Sequence, residues 1–182
     1  MSGDGIGSTT PLPPVPPDLA ARGIALRIET PEDREFLRRL YASIRWAELE
    51  PTGWPEAARL AFLSQQFELQ DRHYKTHYAG AAFAVITEAG VPIGRLYLHQ
   101  GPTDLRIMDI AFLPSHRGLG LGSALLRAVF DLGRAAGTNV SIHVEMFNIG
   151  ARRLYERLGF VQTEDKGVYL RMDWSPEGVR AA

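Results

Sequence analysis

The chain contains a glycine-rich segment, His116-Arg117-Gly118-Leu119-Gly120-Leu121-Gly122-Ser123, between two runs of different character. The run before it, Leu105 to Leu113, is typical of a strand, and the run that begins within it, Gly120 to Ala136, is typical of a helix. Alternate glycines leave the backbone bare, so amide N–H groups can approach a ligand closely. The helix adds unpaired N–H donors and the positive end of its dipole. The segment therefore predicts an anion site, most often one for phosphate.

Three kinds of phosphate loop compete for this segment, and a plain glycine turn is a fourth interpretation. A Walker A loop needs a lysine after its last glycine, whereas Gly122 is followed by Ser123. A dinucleotide fingerprint needs glycine at position 123 or 125, where the chain has Ser123 and Leu125. The acyl-CoA pyrophosphate pattern, Arg/Gln-x-x-Gly-x-Gly/Ala, is matched at every fixed position by Arg117, Gly120 and Gly122.

Composition limits the class of protein. Of the 182 residues, 45% are hydrophobic and 23% are charged, which indicates one domain with a sizeable core. The formal net charge of -1 predicts no bulk attraction to nucleic acid or to an anionic membrane. The absence of cysteine excludes disulfides, thiol catalysis and a Cys-ligated metal. With neither a secretory signal nor a membrane-spanning run, we expect a cytoplasmic protein.

The ends of the chain differ from its middle. Residues 1–22 contain five prolines among Gly, Ser and Thr, and this composition predicts a disordered tail. We expect a single domain over residues 23–175 and a flexible C-terminal tail over residues 176–182.

Hydrophobic periodicity predicts the element order β-α-α-β-β-β-α-β-α-β-β. The predicted strands cover residues 24–28, 82–87, 92–99, 105–113, 140–146, 160–163 and 168–174, and the predicted helices cover 31–44, 56–70, 120–136 and 148–158. The polar and aromatic segment from Gln65 to Tyr78 could line an acceptor pocket or simply end a helix with exposed side chains.

Three motifs occur together in the second half of the chain. They are Asp109-Ile110-Ala111-Phe112-Leu113-Pro114, Arg117-x-x-Gly120-x-Gly122 and Asn148-x-x-Ala151-x-x-x-Tyr155-x-x-x-Gly159-Phe160. With this element order, the chain resembles the GNAT superfamily of acyl-CoA-dependent N-acetyltransferases from about Ile24 to Trp174. The resemblance implies an α/β (α+β) fold in which helices flank a mixed, mostly antiparallel sheet. Two central strands of that sheet would splay apart to form a V-shaped slot for the cofactor.

The resemblance also implies contacts with acetyl-CoA as cosubstrate. The backbone of Ile110, Ala111 and Phe112 would bind the pantetheine arm in the manner of an added strand. Asn148 would hydrogen-bond the cofactor near that arm. The side chain of Arg117 could add a salt bridge or remain a solvated loop charge. The diphosphate would lie on the amides of Arg117, Gly118, Leu119, Gly120, Leu121, Gly122 and Ser123.

The resemblance places two catalytic residues. Tyr155 stands at the position of a general acid that would protonate the CoA sulfur, although core packing on the face of Leu154 is the alternative. Asp109 stands where many relatives carry a Glu proposed as base, and its shorter side chain favours action through an ordered water. Asp109 could instead anchor a neighbouring strand or bind the acceptor ammonium. Glu145 and His143, on one face of the next strand, are alternative bases.

We expect the protein to transfer an acetyl group from acetyl-CoA to a primary amine by direct attack in a ternary complex. The absence of cysteine agrees with a route that has no acyl-cysteine intermediate. The alternatives are a non-catalytic acyl-CoA-binding sensor module and a transferase for longer acyl groups. The predicted partners are acetyl-CoA and a small-molecule or peptide amine, and a homodimer is a further expectation. No metal is predicted, because the scattered His73, His77 and His99 form no HExxH pattern.

Overall fold

A seven-stranded sheet forms the centre of the computed structural model, which describes residues 9–177. The strand order is β1-β2-β3-β4-β5-β7-β6, and every neighbouring pair is antiparallel except β4 and β5. The strands are β1 (Ile24–Ile28), β2 (Ala82–Glu88), β3 (Val91–Gln100), β4 (Asp104–Phe112), β5 (Asn139–Glu145), β6 (Val161–Asp165) and β7 (Tyr169–Trp174). The predicted mixed, mostly antiparallel sheet is therefore confirmed.

Five α-helices lie in the described residues: α1 (Pro17–Ala21), α2 (Arg34–Arg45), α3 (Glu56–His77), α4 (Leu121–Ala136) and α5 (Ile149–Arg157). Three 3₁₀ turns, Pro31–Asp33, Trp46–Thr52 and Pro114–His116, complete the connections. The predicted order of elements is confirmed, with α1 added at its start. Within residues 9–177, no helix is both long enough and apolar enough to cross a membrane.

Each face of the sheet has its own apolar cluster. On one face, Leu125 and Val129 of α4 pack in a cluster with Ile107 and Ile142 of the two parallel strands. On the other face, side chains of α2 and α3, including Phe67, pack in a second cluster with strand residues of β2 and β4. The helices thus bury apolar side chains on opposite sides of one sheet.

The two parallel strands separate after a short paired region. β4 pairs with β5 only where Asp104 to Ile107 faces Asn139 to Ile142. The next residue of β4, Met108, is an extra residue in its pairing with β3, and such a bulge bends a strand. The remaining residues of β4 and β5 have no partner in each other, which gives the predicted splayed slot.

The N-terminal segment packs on the domain. The amide of Thr10 donates to the carbonyl of Gly80 at 2.8 Å, and its Oγ1 accepts from the amide of Gln100 at 2.9 Å. Leu19 is 2% exposed in the main apolar cluster, which Leu12 and Val15 also contact. The predicted disordered tail is therefore wrong for residues 9–22, because the apolar residues among the prolines find a core to join. Residues 1–8, and residues 178–182 of the predicted C-terminal tail, lie outside the described residues.

Candidate active site

The splay between β4 and β5 opens into a cleft of about 550 Å³. Side chains of α2, α3, α4 and α5 and of the strands β3, β4, β5 and β7 line it. The sequence-predicted residues Asp109, Ile110, Ala111 and Phe112 lie along one wall, and Tyr155 belongs to another. The cleft therefore brings together residues that are far apart in the chain.

The strand edge at Ile110 to Phe112 is open on the cleft side. These residues pair with β3 on one side and have no β5 partner on the other. An unpaired edge presents backbone N–H and C=O groups in strand geometry. It can therefore pair with an extended ligand that carries amide groups of its own.

The glycine segment takes the backbone conformation that its composition predicts. Gly118 and Gly120 have positive φ values of +71° and +79°, and Gly120 is the residue before α4. A Cβ at either position would meet nothing within 4 Å, and one at Gly122 would lie 3.6 Å from the ring of Phe112. Packing alone therefore does not require glycine here; the backbone conformation requires it at two positions, and the bare surface at all three suits a close ligand.

The backbone amides of this loop indicate an anion-binding site. Gly118, Leu119 and Gly120 donate no backbone hydrogen bond within the described part of the chain. Leu121, Gly122 and Ser123 form the first turn of α4, where N–H groups lack helical partners. A helix of 16 residues adds the positive end of its dipole at the same place. This arrangement can bind a phosphate or diphosphate through backbone groups alone.

Two predicted cofactor residues have structural partners as well. Nε of Arg117 donates to the carbonyl of Phe112 at 2.9 Å, which ties the glycine loop to the end of β4. Arg117 is thus more than a solvated loop charge. Oδ1 of Asn148 accepts from the amide of Ala151 at 3.1 Å and caps α5. Both side chains line the cleft, so their remaining nitrogen atoms are available to a ligand.

Tyr155 is both packed and accessible to the cleft. The residue is 7% exposed, and its ring lies 5.7 Å from that of Phe160, centroid to centroid. It also lines the cleft. Burial raises the pKa of its phenol, and the negative charge of Asp109 adds to the increase. The hydroxyl therefore keeps its proton at neutral pH and can donate a hydrogen bond.

Asp109 is paired with an arginine that sequence reasoning missed. Nη2 of Arg95 donates to Asp109 and, at 3.0 Å, to Oε1 of Gln70. Arg95 is 2% exposed, and burial opposes its charge. The carboxylate of Asp109 outweighs that opposition, so the pKa of Arg95 is raised. The only signal in the sequence was that Arg95 lies in a mostly apolar strand, one strand away from Asp109.

A second ion pair joins α2 to β5. Arg45, at the end of α2, contacts Glu145 at 2.7 Å and Glu48 at 3.2 Å. All three residues line the cleft beside Asp109. Burial opposes the charge of Arg45, but the two carboxylates raise its pKa overall. The sequence predicted Glu145 as an alternative base and gave no sign of its partner.

His143 lies on the same face of β5 as Glu145 and lines the cleft. Burial lowers its pKa, and the positive charges of Arg106, Lys166 and Arg171 lower it further. Its imidazole is therefore neutral at physiological pH and can accept a proton.

The segment from Gln65 to Tyr78 is mostly helical, since α3 continues to His77. Gln70 and Tyr74 line the cleft, while His73 and His77 are exposed at the end of the helix. That the segment lines an acceptor pocket stays a prediction. Among the residues described, no group of three or more His, Cys, Asp or Glu side chains is placed to hold a metal ion.

Comparison with known proteins places this fold and cleft in context. The sequence model of the Acetyltransferase (GNAT) family matches residues 37–160, more than half of the chain. The uncharacterized N-acetyltransferase YycN of Bacillus subtilis is 28% identical over 145 residues, which is 75% of this chain and 91% of the relative. N-alpha-acetyltransferase 50 of Danio rerio is 26% identical over 135 residues, covering 70% and 80% of the two chains.

Solved structures share the fold. PaiA N-acetyltransferase from Thermoplasma acidophilum, in complex with coenzyme A, has a TM-score of 0.64 at 16% identity and covers 84% of this chain and 98% of its own. Arabidopsis thaliana Naa50, in complex with the bisubstrate analogue CoA-Ac-MVNAL, has a TM-score of 0.56 at 16% identity, with coverage of 84% and 99%. These likenesses show that the fold is shared. The chain belongs to the GNAT family of acetyltransferases and is an acyltransferase enzyme.

Proposed function

We propose that the protein transfers an acetyl group from acetyl-CoA to a primary amine by direct attack in a ternary complex. One observation carries the proposal: a single cleft joins an open strand edge, a glycine loop at a helix N-terminus and the protonated phenol of Tyr155. The coenzyme A complexes of PaiA and Naa50 support acetyl-CoA as the donor.

Acetyl-CoA would lie along the β4 wall. Its pantetheine amides would pair with the backbone of Ile110 to Phe112, and its diphosphate would take the amides from Arg117 to Ser123. Asn148 would donate from Nδ2 to the arm, because its Oδ1 already caps α5. This placement directs the thioester to the point where β4 and β5 separate.

Two groups would stabilise the developing charges. A backbone N–H on the bulged part of β4 is a preorganised donor for the oxyanion that forms on the acetyl carbonyl. The phenol of Tyr155 would donate a hydrogen bond to the sulfur as the thiolate leaves, and would thereby act as the acid. Its raised pKa ensures that the proton is present at neutral pH.

The cleft contains three candidate bases that could remove a proton from the ammonium of the acceptor. Protonation of Asp109 would leave buried Arg95 without a counter-charge, which is costly. Glu145 is likewise a counter-charge for Arg45, so its protonation would also be costly. The neutral imidazole of His143 is not the counter-charge of a buried arginine. We therefore propose His143 as the proton acceptor and Asp109 as the group that attracts the ammonium. Asp109 acting as base through an ordered water stays a prediction, and the pH profiles of Asp109→Asn and His143→Gln test it.

The alternative is an acyl-CoA-binding sensor without turnover. A sensor needs the strand edge and the glycine loop, but it needs neither a protonated phenol at the sulfur position nor acids around an acceptor pocket. Their presence in one cleft favours catalysis.

Thiol release separates the two functions. Purified protein is incubated with acetyl-CoA and a panel of primary amines, free thiol is measured over time, and the products are identified by mass. We expect thiol release that depends on both the amine and the enzyme. Calorimetric binding of acetyl-CoA without amine-dependent release for any amine would instead identify a sensor, and absence of binding would exclude both functions.

A further inference from the structure

The acceptor half of the cleft, formed by α2, α3 and the strand side chains that face them, contains two phenols without a structural partner. Tyr41 of α2 and Tyr74 of α3 both line the cleft. Within residues 9–177, neither phenol oxygen has a hydrogen-bond partner, and neither is among the polar atoms enclosed from solvent. Both oxygens can therefore meet a ligand in the cleft, and a ligand with N–H donors would satisfy them.

The first phenol, Tyr74, is close to the Asp109 carboxylate. On α3 it lies one turn beyond Gln70, which accepts from the Arg95 guanidinium that also binds Asp109. The ring of Tyr74 is 6.2 Å from that of Tyr97, and the guanidinium of Arg95 is 5.0 Å from the Tyr97 ring centroid. Burial raises the pKa of the Tyr74 phenol, and the charge of Asp109 adds to the increase. The phenol is therefore neutral, and its oxygen can accept a hydrogen bond beside a carboxylate.

The second phenol, Tyr41, is close to both ion pairs of the acceptor half. On α2 it lies one turn before Arg45, the partner of Glu145. Burial raises the pKa of its phenol, while the charges of Arg45 and Arg95, one from each ion pair, act in the opposite direction. The charge of Asp109 also raises this pKa, so the oxygen of Tyr41 is near the same carboxylate as the first phenol.

The charges of the acceptor half are balanced by one ammonium. Its lining includes three carboxylates and two guanidinium groups, those of Glu48, Asp109 and Glu145 and those of Arg45 and Arg95. Both guanidinium groups have carboxylate partners. One negative charge is therefore in excess, and a ligand carboxylate would meet no unpaired cation among the described residues of this half.

Apolar surface adjoins these charges. Tyr169 of β7 is the register partner of Glu145, lines the cleft and is 44% exposed. The residue before it, Val168, is 62% exposed, and Ile44 of α2 also lines the cleft. Exposed apolar side chains at a cleft are typical of a site for an apolar ligand group.

We propose that the acceptor is a primary monoamine with an apolar body, and that Tyr41 and Tyr74 bind its nitrogen together with Asp109. An ammonium has three N–H donors, which match one carboxylate and two phenol oxygens. When His143 has taken one proton, the two remaining N–H groups stay on the phenols, and the lone pair is free to attack. A secondary amine keeps only one N–H at this stage. This acceptor class rests on the proposed function, whereas the amine site itself can be measured without turnover.

Three amines of equal length test the acceptor class. Pentylamine has an uncharged end, 1,5-diaminopentane has a second ammonium and 5-aminopentanoate has a carboxylate. With thiol release as the measurement, we expect kcat/KM for pentylamine to be at least about 10-fold higher than for either charged analogue, because an unpaired charge on apolar surface is costly. A value for pentylamine equal to or below that of either analogue would overturn the acceptor class.

Paired substrates and variants test the two phenols. Pentylamine is compared with N-methylpentylamine, its secondary analogue, in the wild type, Tyr41→Phe and Tyr74→Phe. Each substitution should reduce the preference for the primary amine in kcat/KM about 3- to 10-fold, the effect of one hydrogen bond, and leave the KM for acetyl-CoA unchanged. Tyr78→Phe is the matched control and keeps the wild-type preference, since its ring lies 6.0 Å from that of Tyr74 but does not line the cleft. An unchanged preference in Tyr41→Phe and Tyr74→Phe would overturn the amine site.

A binding measurement keeps the amine site testable if no amine is acetylated. Pentylamine is titrated by calorimetry into the protein in the presence of coenzyme A. We expect saturable binding that each phenol substitution weakens about 3- to 10-fold. Absence of binding, or binding that neither substitution changes, would overturn the amine site. Absence of thiol release with every amine, beside normal binding of pentylamine, would contradict the proposed function alone.

Discussion

The two halves of the cleft are built from different materials. The cofactor half consists mainly of backbone groups from one continuous segment, Ile110 to Ser123, with its shape fixed by glycines at positive φ. The acceptor half consists of side chains from separate elements held by ion pairs, Arg95 with Asp109 across β3 and β4, and Arg45 with Glu145 between α2 and β5. A local motif can specify the first half, whereas only the assembled fold specifies the second.

The largest expected effect is on stability, in the acceptor half. Asp109→Ala leaves the guanidinium of Arg95 buried without its carboxylate, and such a loss typically costs about 3–5 kcal/mol. Urea denaturation at neutral pH measures the change in the free energy of unfolding. The matched control is Asp131→Ala, which removes an exposed partner of Arg134 and should cost well under 1 kcal/mol. Equal losses of unfolding free energy in the two variants would show that the Arg95–Asp109 pair stabilises the protein no more than an exposed ion pair does.

The corresponding change in the cofactor half should affect binding. Gly120→Asp puts a negative charge and a side chain at a positive φ where a diphosphate would lie, so acetyl-CoA affinity should fall at least about 100-fold, or about 3 kcal/mol. Calorimetry measures the affinity. Gly137→Asp, at the other end of α4 with φ +63°, carries similar backbone strain away from the loop and should keep wild-type affinity. Unchanged binding by Gly120→Asp would contradict the diphosphate assignment.

The same contrast explains what the sequence could predict. The bounds of β1 and the position of the glycine loop were predictable because periodicity and glycine spacing are local signals. The partner of Asp109 was not, because Arg95 is 14 residues away and meets it only across a strand pair. The prediction of disorder for residues 9–22 was wrong for a related reason. Composition shows how few apolar residues the segment has, but it does not show the core of the domain in which Leu19 is buried. Residues that act through long-range contacts therefore need the fold.

Tyr155 joins the two halves, and its hydroxyl can be removed with little change in packing. Tyr155→Phe should keep the fold and the affinity for acetyl-CoA while lowering kcat about 100-fold, the lower range for a general acid. Steady-state kinetics at saturating acetyl-CoA gives kcat. Tyr97→Phe is the control, since it removes a buried phenol bonded to Glu29 at 2.7 Å, outside the cleft, and should lower stability without changing kcat. Undiminished turnover in Tyr155→Phe would remove the phenol from the mechanism.

The smallest expected effect concerns the proton acceptor. Burial lowers the pKa of His143, as do the charges of Arg106, Lys166 and Arg171, with Glu164 in partial opposition. The base is active when neutral, so kcat/KM should be constant above this pKa and fall about tenfold per pH unit below it, with a midpoint under the ordinary histidine value of about 6.5. The pH profile for an amine acceptor measures the midpoint.

Two variants assign that acidic limb of the pH profile to one residue of the acceptor half. His143→Gln cannot gain a proton in this range, so its profile should lose the limb, whereas Asp109→Asn should keep it because the imidazole is intact. The opposite pattern, a limb lost in Asp109→Asn and kept in His143→Gln, would make Asp109 the base despite its pairing with Arg95. The ion pair would then have to release its carboxylate during each turnover, and the acceptor half would be a moving part of the mechanism rather than a fixed frame around it.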